Sequence, residues 1–179
     1  MSKNILLIVT GSISAYKAPN IANALRKKGN DVKIILTKSA QKFITKLSFS
    51  SQGFKTYTDE DDWNSDRVLH IDLIKWSDIV LIAPCTANTL AKFANGFADN
   101  LATNTLRAVS ADKHIYICLS MNTEMYNSKI TKEQKILVNF NYMYTYFIPP
   151  VSKTLACGDY GDGALADTKT IVDIVCDSK

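Results

Sequence analysis

The sequence lacks the features that define several common protein classes. Its four cysteines include no two at the spacing of metal ligands, and a chain of 179 residues does not depend on disulfides to fold. No apolar run approaches the roughly 20 residues that a membrane span needs. The apolar amino-terminal stretch has no signal-peptide cleavage site. These absences predict a soluble, cytoplasmic protein with reduced thiols, no metal site and no membrane partner.

The charge distribution does not indicate a nucleic-acid partner, and the chain shows no repeat or linker that would divide it into several domains. The formal net charge is +4, and the lysines are spread along the chain rather than clustered. A basic patch for nucleic acid is therefore not indicated, and we expect no nucleic-acid partner. Without a linker or low-complexity tract, and with 46% hydrophobic residues, the chain predicts one domain over residues 1–179.

Short apolar runs separated by helical patterns fix the fold class. Near-continuous apolar runs are typical of parallel strands buried on both faces. Helical patterns cover residues 14–28, 89–108 with a break near Gly96, and 167–176, where Ile171, Ile174 and Val175 share one side. The alternation predicts an α/β fold: a Rossmann-like, doubly wound parallel sheet with helices on both faces. The four predicted strands are residues 5–9, 32–36, 79–83 and 115–119.

The turns that follow these strands are small, polar and rich in hydroxyl groups. In such sheets the carboxyl ends of the strands bind ligands. Hydroxyls and free backbone N–H groups suit a phosphate, although the same residues also cap helices without any ligand. Four such turns at one edge favour a ligand site. Neither a Gly-x-Gly-x-x-Gly fingerprint nor a P-loop lysine is present, so a mononucleotide such as FMN remains compatible. The turns are residues 10–12, 37–39, 84–89 and 120–122.

Three further residues carry possible chemistry, and one charged run does not. His70 is expected to begin a short helix, either as a neutral base or as a capping histidine. Asn122 could orient a carboxylate or only cap a helix. Cys157 opens a glycine-rich segment, residues 155–166, that is predicted to be a loop; the thiol is either functional or a small buried hydrophobe. The acidic run 59–62 is predicted to be a solvated loop without function.

Several motifs together resemble one family. GSISAYK, HIDL, PCTANT, ADNL, MNTEMY and LACGDYGDGA occur in the order found in the homo-oligomeric flavin-containing cysteine decarboxylases. The resemblance covers Ile5 to about Ala166, and YTDEDDW is similar to the stand-alone, eukaryotic-type form. It implies a flavoprotein with FMN as cofactor and a small-molecule substrate. It also implies a homotrimer, or a dodecamer of trimers, with sites at subunit interfaces.

The resemblance also implies roles for individual residues. His70 and Cys157 match catalytic residues, and Asn122 matches the asparagine that holds the substrate carboxylate. Leu119 and Tyr126 depart from the usual proline and tryptophan of the asparagine motif. The implied substrate contacts are Asn122, Met125, Ala156 and Gly158. The implied FMN contacts are Gly11, Ser12, Ile13, Thr37, Ser39, Thr86, Ala87, Asn88, Thr89 and Ser120.

The activity implied by the resemblance is that of a carbon–carbon lyase in coenzyme A biosynthesis. It converts 4′-phosphopantothenoylcysteine to 4′-phosphopantetheine. Hydride transfer from the thiol carbon to FMN gives a thioaldehyde, an electron sink for loss of CO2. The reduced flavin then returns the hydride to the enethiol while Cys157 supplies a proton.

Other members of the same structural class define the alternatives. An oxidative decarboxylase of a peptide carboxyl-terminal cysteine would release the enethiol, and its loop would lack Cys157. A non-enzymatic, phosphatase-regulating relative would be expected to carry a long acidic tail. A flavin prenyltransferase would need neither LACGDYG nor the Asn122 motif.

Overall fold

Six parallel strands form the centre of the structure, a computed structural model that describes residues 2–110, 112–155 and 158–177. Their spatial order is β3-β2-β1-β4-β5-β6, which is the doubly wound order with its switch point between β1 and β4. The predicted fold class and the four predicted strands are confirmed. The strands are β1 Asn4–Val9, β2 Asp31–Leu36, β3 Lys55–Tyr57, β4 Ile79–Cys85, β5 His114–Leu119 and β6 Thr145–Ile148.

Helices cover both faces of this sheet. One face packs against α1, α2 and α9, and the other against α4, α5, α6 and α8. None of the described helices has the length and apolar character needed to span a bilayer. The helices are α1 Ala18–Lys27, α2 Leu47–Ser50, α3 Asp59–Trp63, α4 Leu69–Trp76, α5 Ala87–Ala94, α6 Leu101–Arg107, α7 Thr123–Asn127, α8 Lys129–Asn141 and α9 Thr168–Asp177.

Strand β1 shows why the apolar runs predicted the sheet. Ile5, Leu7 and Val9 enter the core on one face, while Leu6 and Ile8 enter the core on the other. All five are at most 1% exposed. Since successive side chains of a strand point to opposite faces, a strand covered on both sides must be apolar at every position.

Three local predictions need correction. The helical pattern at residues 14–28 is a 3-10 helix, Ile13–Lys17, followed by α1, whose first turn contains a proline. In α9, Ile171 and Val175 are buried as predicted, but the third buried position is Val172, while Ile174 is 37% exposed. The acidic run 59–62 is not a loop but lies in α3. The Asp61 carboxylate accepts hydrogen bonds from the Thr58 N–H at 2.7 Å and from its hydroxyl at 2.8 Å, which caps that helix.

A separate antiparallel hairpin corrects the loop predicted at residues 155–166. Strand β7, Val151–Thr154, pairs with strand β8, Tyr160–Ala164. The hairpin lies on the chain that leaves β5, because the Met121 N–H donates to the Gly163 carbonyl at 2.9 Å. Gly163 has φ +132°, and a Cβ there would lie 2.1 Å from the Met121 carbonyl oxygen. The hairpin and the end of β5 therefore meet backbone to backbone.

Candidate functional site

A cavity of about 600 Å³ opens at the carboxyl ends of the strands, and we call it the strand-end cavity. Its volume falls within the range of small-molecule sites. The turns that follow β1, β2, β4 and β5 all contribute to its wall, as the sheet topology predicts. The predicted residues that line it are Gly11, Ser12, Thr37, Ser39, Thr86, Ala87, Asn88, Thr89, Ser120 and Met125.

Hydrogen bonds between hydroxyl groups hold two of these turns together. The Ser12 and Ser120 hydroxyls lie 3.0 Å apart, and the Ser120 hydroxyl lies 3.2 Å from that of Ser14. Ser12 also accepts from the Ser14 N–H and so caps the first 3-10 helix. The turn after β1 is therefore fixed to the turn after β5, 108 residues further along the chain.

The amino terminus of α5 contributes a second group of donors. Thr86 is its N-cap, and its hydroxyl accepts from the Thr89 N–H at 3.2 Å. The Thr86 N–H donates a hydrogen bond to the Thr10 hydroxyl at 3.1 Å. The N–H groups of Ala87 and Asn88 lie in the first helical turn, where no acceptor within the helix is available. Such an end favours phosphate.

Close contact between two turns shapes the floor of the cavity. A Cβ at Gly11 would lie 2.4 Å from the Cβ of Ser39, so only glycine lets these turns approach. Hydroxyls, helix-terminal N–H groups and a glycine cradle form a set that fits a phosphate and a flat ring. The strand-end cavity therefore fits FMN, and the turns after β1, β2, β4 and β5 are the segments that would hold it.

Charged residues on the cavity wall were missed by sequence reasoning. Lys38 lines the cavity and lies within the predicted turn 37–39 after β2, so its position in that turn could have identified it as a cavity residue. Lys92 and Asp99 form an ion pair, and the Lys92 hydrogen bond holds the pKa of Asp99 below its usual value. Asp59 accepts from the Leu101 N–H at 2.9 Å, so the acidic run fixes the start of α6.

A second cavity of about 480 Å³ adjoins the first, and we call it the hairpin cavity. Ser12, Ser120 and Met121 line both cavities. Asn122 lines the hairpin cavity, caps α7 and accepts from the Glu124 N–H at 2.8 Å. Ile13, which the resemblance placed at FMN, lies in this second cavity and is 56% exposed.

His70 is not brought to either cavity by a single chain. It lines a smaller depression beside Arg107 and Asn104. Its Nδ1 lies 3.9 Å from an Asp62 carboxylate oxygen, too far for a hydrogen bond, and this buried nitrogen has no hydrogen-bond partner among the described residues. Gly158 is exposed between β7 and β8. Ala156 and Cys157 lie outside the described residues.

The fold and the strand-end cavity define a doubly wound α/β protein built to bind a phosphate-bearing ligand. The chain belongs to the flavoprotein family, because the sequence model of the family described as Flavoprotein matches residues 1–179. A phosphopantothenoylcysteine decarboxylase of Arabidopsis thaliana is 40% identical over 176 residues, which cover 96% of this chain and 82% of that protein.

Two solved structures extend this similarity to three dimensions. One is a cysteine-to-serine mutant of PPC decarboxylase complexed with pantothenoylaminoethenethiol. It has a TM-score of 0.91 and 38% identity, covering 98% of this chain and 97% of the other. The second is described as an FMN-binding protein, with a TM-score of 0.88 and 39% identity over 98% and 95% of the two chains.

Proposed function

We propose that this protein is an FMN-dependent decarboxylase that converts 4′-phosphopantothenoylcysteine to 4′-phosphopantetheine. The observation that carries the proposal is the junction of two cavities through Ser12, Ser120 and Met121. One cavity fits FMN, and the other holds Asn122. The near full-length similarity to phosphopantothenoylcysteine decarboxylases supports the same substrate.

Bound FMN would accept and return a hydride in this reaction, and protein side chains cannot perform hydride transfer themselves. The chain contributes binding and orientation. The hydroxyls of Ser12, Thr86 and Ser120 and the first turn of α5 hold the cofactor. Because these hydroxyls are already hydrogen-bonded to the protein, binding costs little side-chain entropy.

Asn122 holds the substrate carboxylate in this proposal. The Glu124 N–H donates to Oδ1 of the amide, which fixes the orientation of the Asn122 side chain at the wall of the hairpin cavity. Holding the carboxylate directs the breaking bond and orients the leaving CO2. Cys157 would supply the proton that, together with a hydride from bound FMN, is needed to convert the enethiol to the saturated thiol.

His70 enters the site through assembly of several chains. Trp63, which is 88% exposed, lies in a depression that shares Asp59 with the strand-end cavity and Asn104 with the depression at His70. Phe97 is 58% exposed. Such side chains are typical of interfaces. The proposed assembly is a homotrimer, alone or as a dodecamer of trimers, in which His70 faces the cavity of a neighbouring chain. Mixing His70→Asn with Cys157→Ser subunits and measuring recovered product tests this sharing.

A cytoplasmic location accompanies the proposal. The described cysteines Cys85, Cys118 and Cys176 are free. Burial raises the pKa values of the Cys85 and Cys118 thiols far above their usual value, so these two remain protonated and unreactive. A compartment that keeps thiols reduced suits both the protein and a cysteine-derived substrate.

A product assay with purified, FMN-loaded protein tests the function. Wild type is expected to release CO2 from 4′-phosphopantothenoylcysteine and to form 4′-phosphopantetheine. Cys157→Ser is expected to stop at the enethiol, two hydrogens lighter by mass spectrometry. If wild type releases no CO2 from this substrate but acts on a peptide with a carboxyl-terminal cysteine, the peptide-decarboxylase alternative replaces the proposal.

A further inference from the structure

Two lysines converge in the hairpin cavity. Lys17 ends the 3-10 helix that follows β1, and Lys153 lies on β7 of the hairpin. Both line the hairpin cavity and both are half-buried. Neither forms an ion pair with any residue that the structure describes. Two cations that share one cavity are an unusual arrangement, because it has an electrostatic cost.

The electrostatics of Lys17 show that this cost is present. Burial lowers the pKa of Lys17, and the nearby ammonium group of Lys153 lowers it further. Asp167 opposes this shift through its charge but makes no ion pair with Lys17. Lys17 also precedes α1, a helix of ten residues whose positive end adds to the potential. A dianion between the two ammonium groups would relieve all of these effects together.

We infer that Lys17 and Lys153 form the subsite for the 4′-phosphate of the substrate, an inference that rests on the proposed function. The same cavity holds Asn122, which binds the carboxylate at the other end of the molecule. The lining of the cavity also includes the apolar Ile13 and Leu155, which are suited to the dimethyl-substituted pantothenoyl chain. The cavity therefore presents cationic, apolar and amide groups, which match the parts of this one substrate.

The subsite also links two parts of the fold. Lys17 belongs to the body of the protein and Lys153 to β7 of the hairpin, so a phosphate bound by both would connect these two parts of the fold. It further provides specificity, because a peptide with a carboxyl-terminal cysteine carries no phosphate to satisfy the two lysines. The lysine pair is thus a determinant of substrate choice rather than of the decarboxylation chemistry.

Paired ligands that differ only in the phosphate test this inference. We would compare kcat/KM for 4′-phosphopantothenoylcysteine and pantothenoylcysteine in wild type, Lys153→Gln and Lys153→Arg. Loss of one charge-assisted hydrogen-bonding group is expected to reduce the preference for phosphate about 10- to 100-fold. Lys153→Arg is expected to keep most of it. Lys169→Gln, an exposed lysine on α9, serves as the matched control and keeps the wild-type preference.

Calorimetric binding of 4′-phosphopantetheine and pantetheine to the FMN-loaded proteins gives a readout that does not need turnover. If wild type shows no decarboxylation, the proposed function fails, and the binding pair still decides on the phosphate subsite. Equal affinity of wild type for the two ligands would overturn the inference. So would a Lys153→Gln protein that loses FMN while its preference for the phosphorylated ligand stays intact, because the lysines would then serve the flavin phosphate.

Discussion

A methyl group added at Gly11 tests the packing that shapes the strand-end cavity. In Gly11→Ala the new Cβ would lie 2.4 Å from the Cβ of Ser39 and 3.1 Å from its carbonyl carbon. Real Cβ atoms do not approach so closely, so one of the two turns must move. The turn after β1 has the cavity on its open side, and we expect it to move in that direction, into the space that FMN would occupy.

The size of the effect follows from this displacement. Overpacking at a well-packed contact costs about 1–3 kcal/mol. Without the cofactor the turn relaxes into the cavity, so little of this cost appears in the stability of the free protein. When FMN binds, the turn must return, and the cost appears as lost affinity. Since 1.4 kcal/mol corresponds to a tenfold change, the Kd for FMN is expected to rise about 5- to 150-fold.

Quenching of FMN fluorescence on titration with the FMN-free protein measures this Kd. Ser39→Gly provides the matched control, because it removes the atom that the methyl group meets. The double variant Gly11→Ala/Ser39→Gly is expected to bind FMN more tightly than Gly11→Ala alone, although contacts with the backbone of residue 39 remain. A Gly11→Ala protein with wild-type affinity, or a double variant without any recovery, would refute the reasoning.

Two further substitutions give separate predictions. Burial raises the pKa of Asp61, but hydrogen bonds from Lys46 and Thr58 outweigh it and hold the pKa below its usual value. A carboxyl group whose pKa is lowered by folding stabilises the folded state above about pH 4. This stabilisation is lost as the pH falls through the pKa of the group in the folded protein. Thermal unfolding should therefore show Asp61→Asn less stable than wild type by about 1 kcal/mol at pH 7, with a smaller difference below pH 4; a constant difference would contradict this. Thr86→Ala should lose about 1 kcal/mol of stability with its cap and also weaken FMN binding, whereas Thr86→Ser should retain both; an unchanged melting temperature would count against the cap.

The central strands could be predicted because burial on both faces leaves a continuous apolar signal. Strands β3 and β8 carry no such signal. Strand β3 has three residues, Lys55–Tyr57, two of them polar, and β8 contains two glycines. Their pairing depends on neighbours that are distant in sequence, so local pattern does not reveal it. The acidic run 59–62 was wrongly predicted to be a loop because four like charges in sequence are typical of solvated loops. The capping interaction between Thr58 and Asp61 stabilises these residues as the helix α3 instead.

The strand-end cavity was predictable for a similar reason, since the topology of a doubly wound sheet brings known turns together. The hairpin cavity was not. Lys153 meets Lys17 only because β7 turns back across the end of β5, and no spacing in the sequence encodes that return. His70 lies near the start of the short helix α4, as predicted, but its distance from both cavities in the single chain was not predictable from local pattern.

The contact between the hairpin and the end of β5 constrains how this protein can be changed. Met121 and Gly163 meet through a hydrogen bond and bare backbone, so no side chain lies between them to adjust its rotamer. A substitution on one segment must therefore be matched on the other. We expect the two segments to vary together among relatives with different substrates. An engineer who wishes to exchange substrate specificity would have to transplant residues 121–123 and 151–164 as a pair.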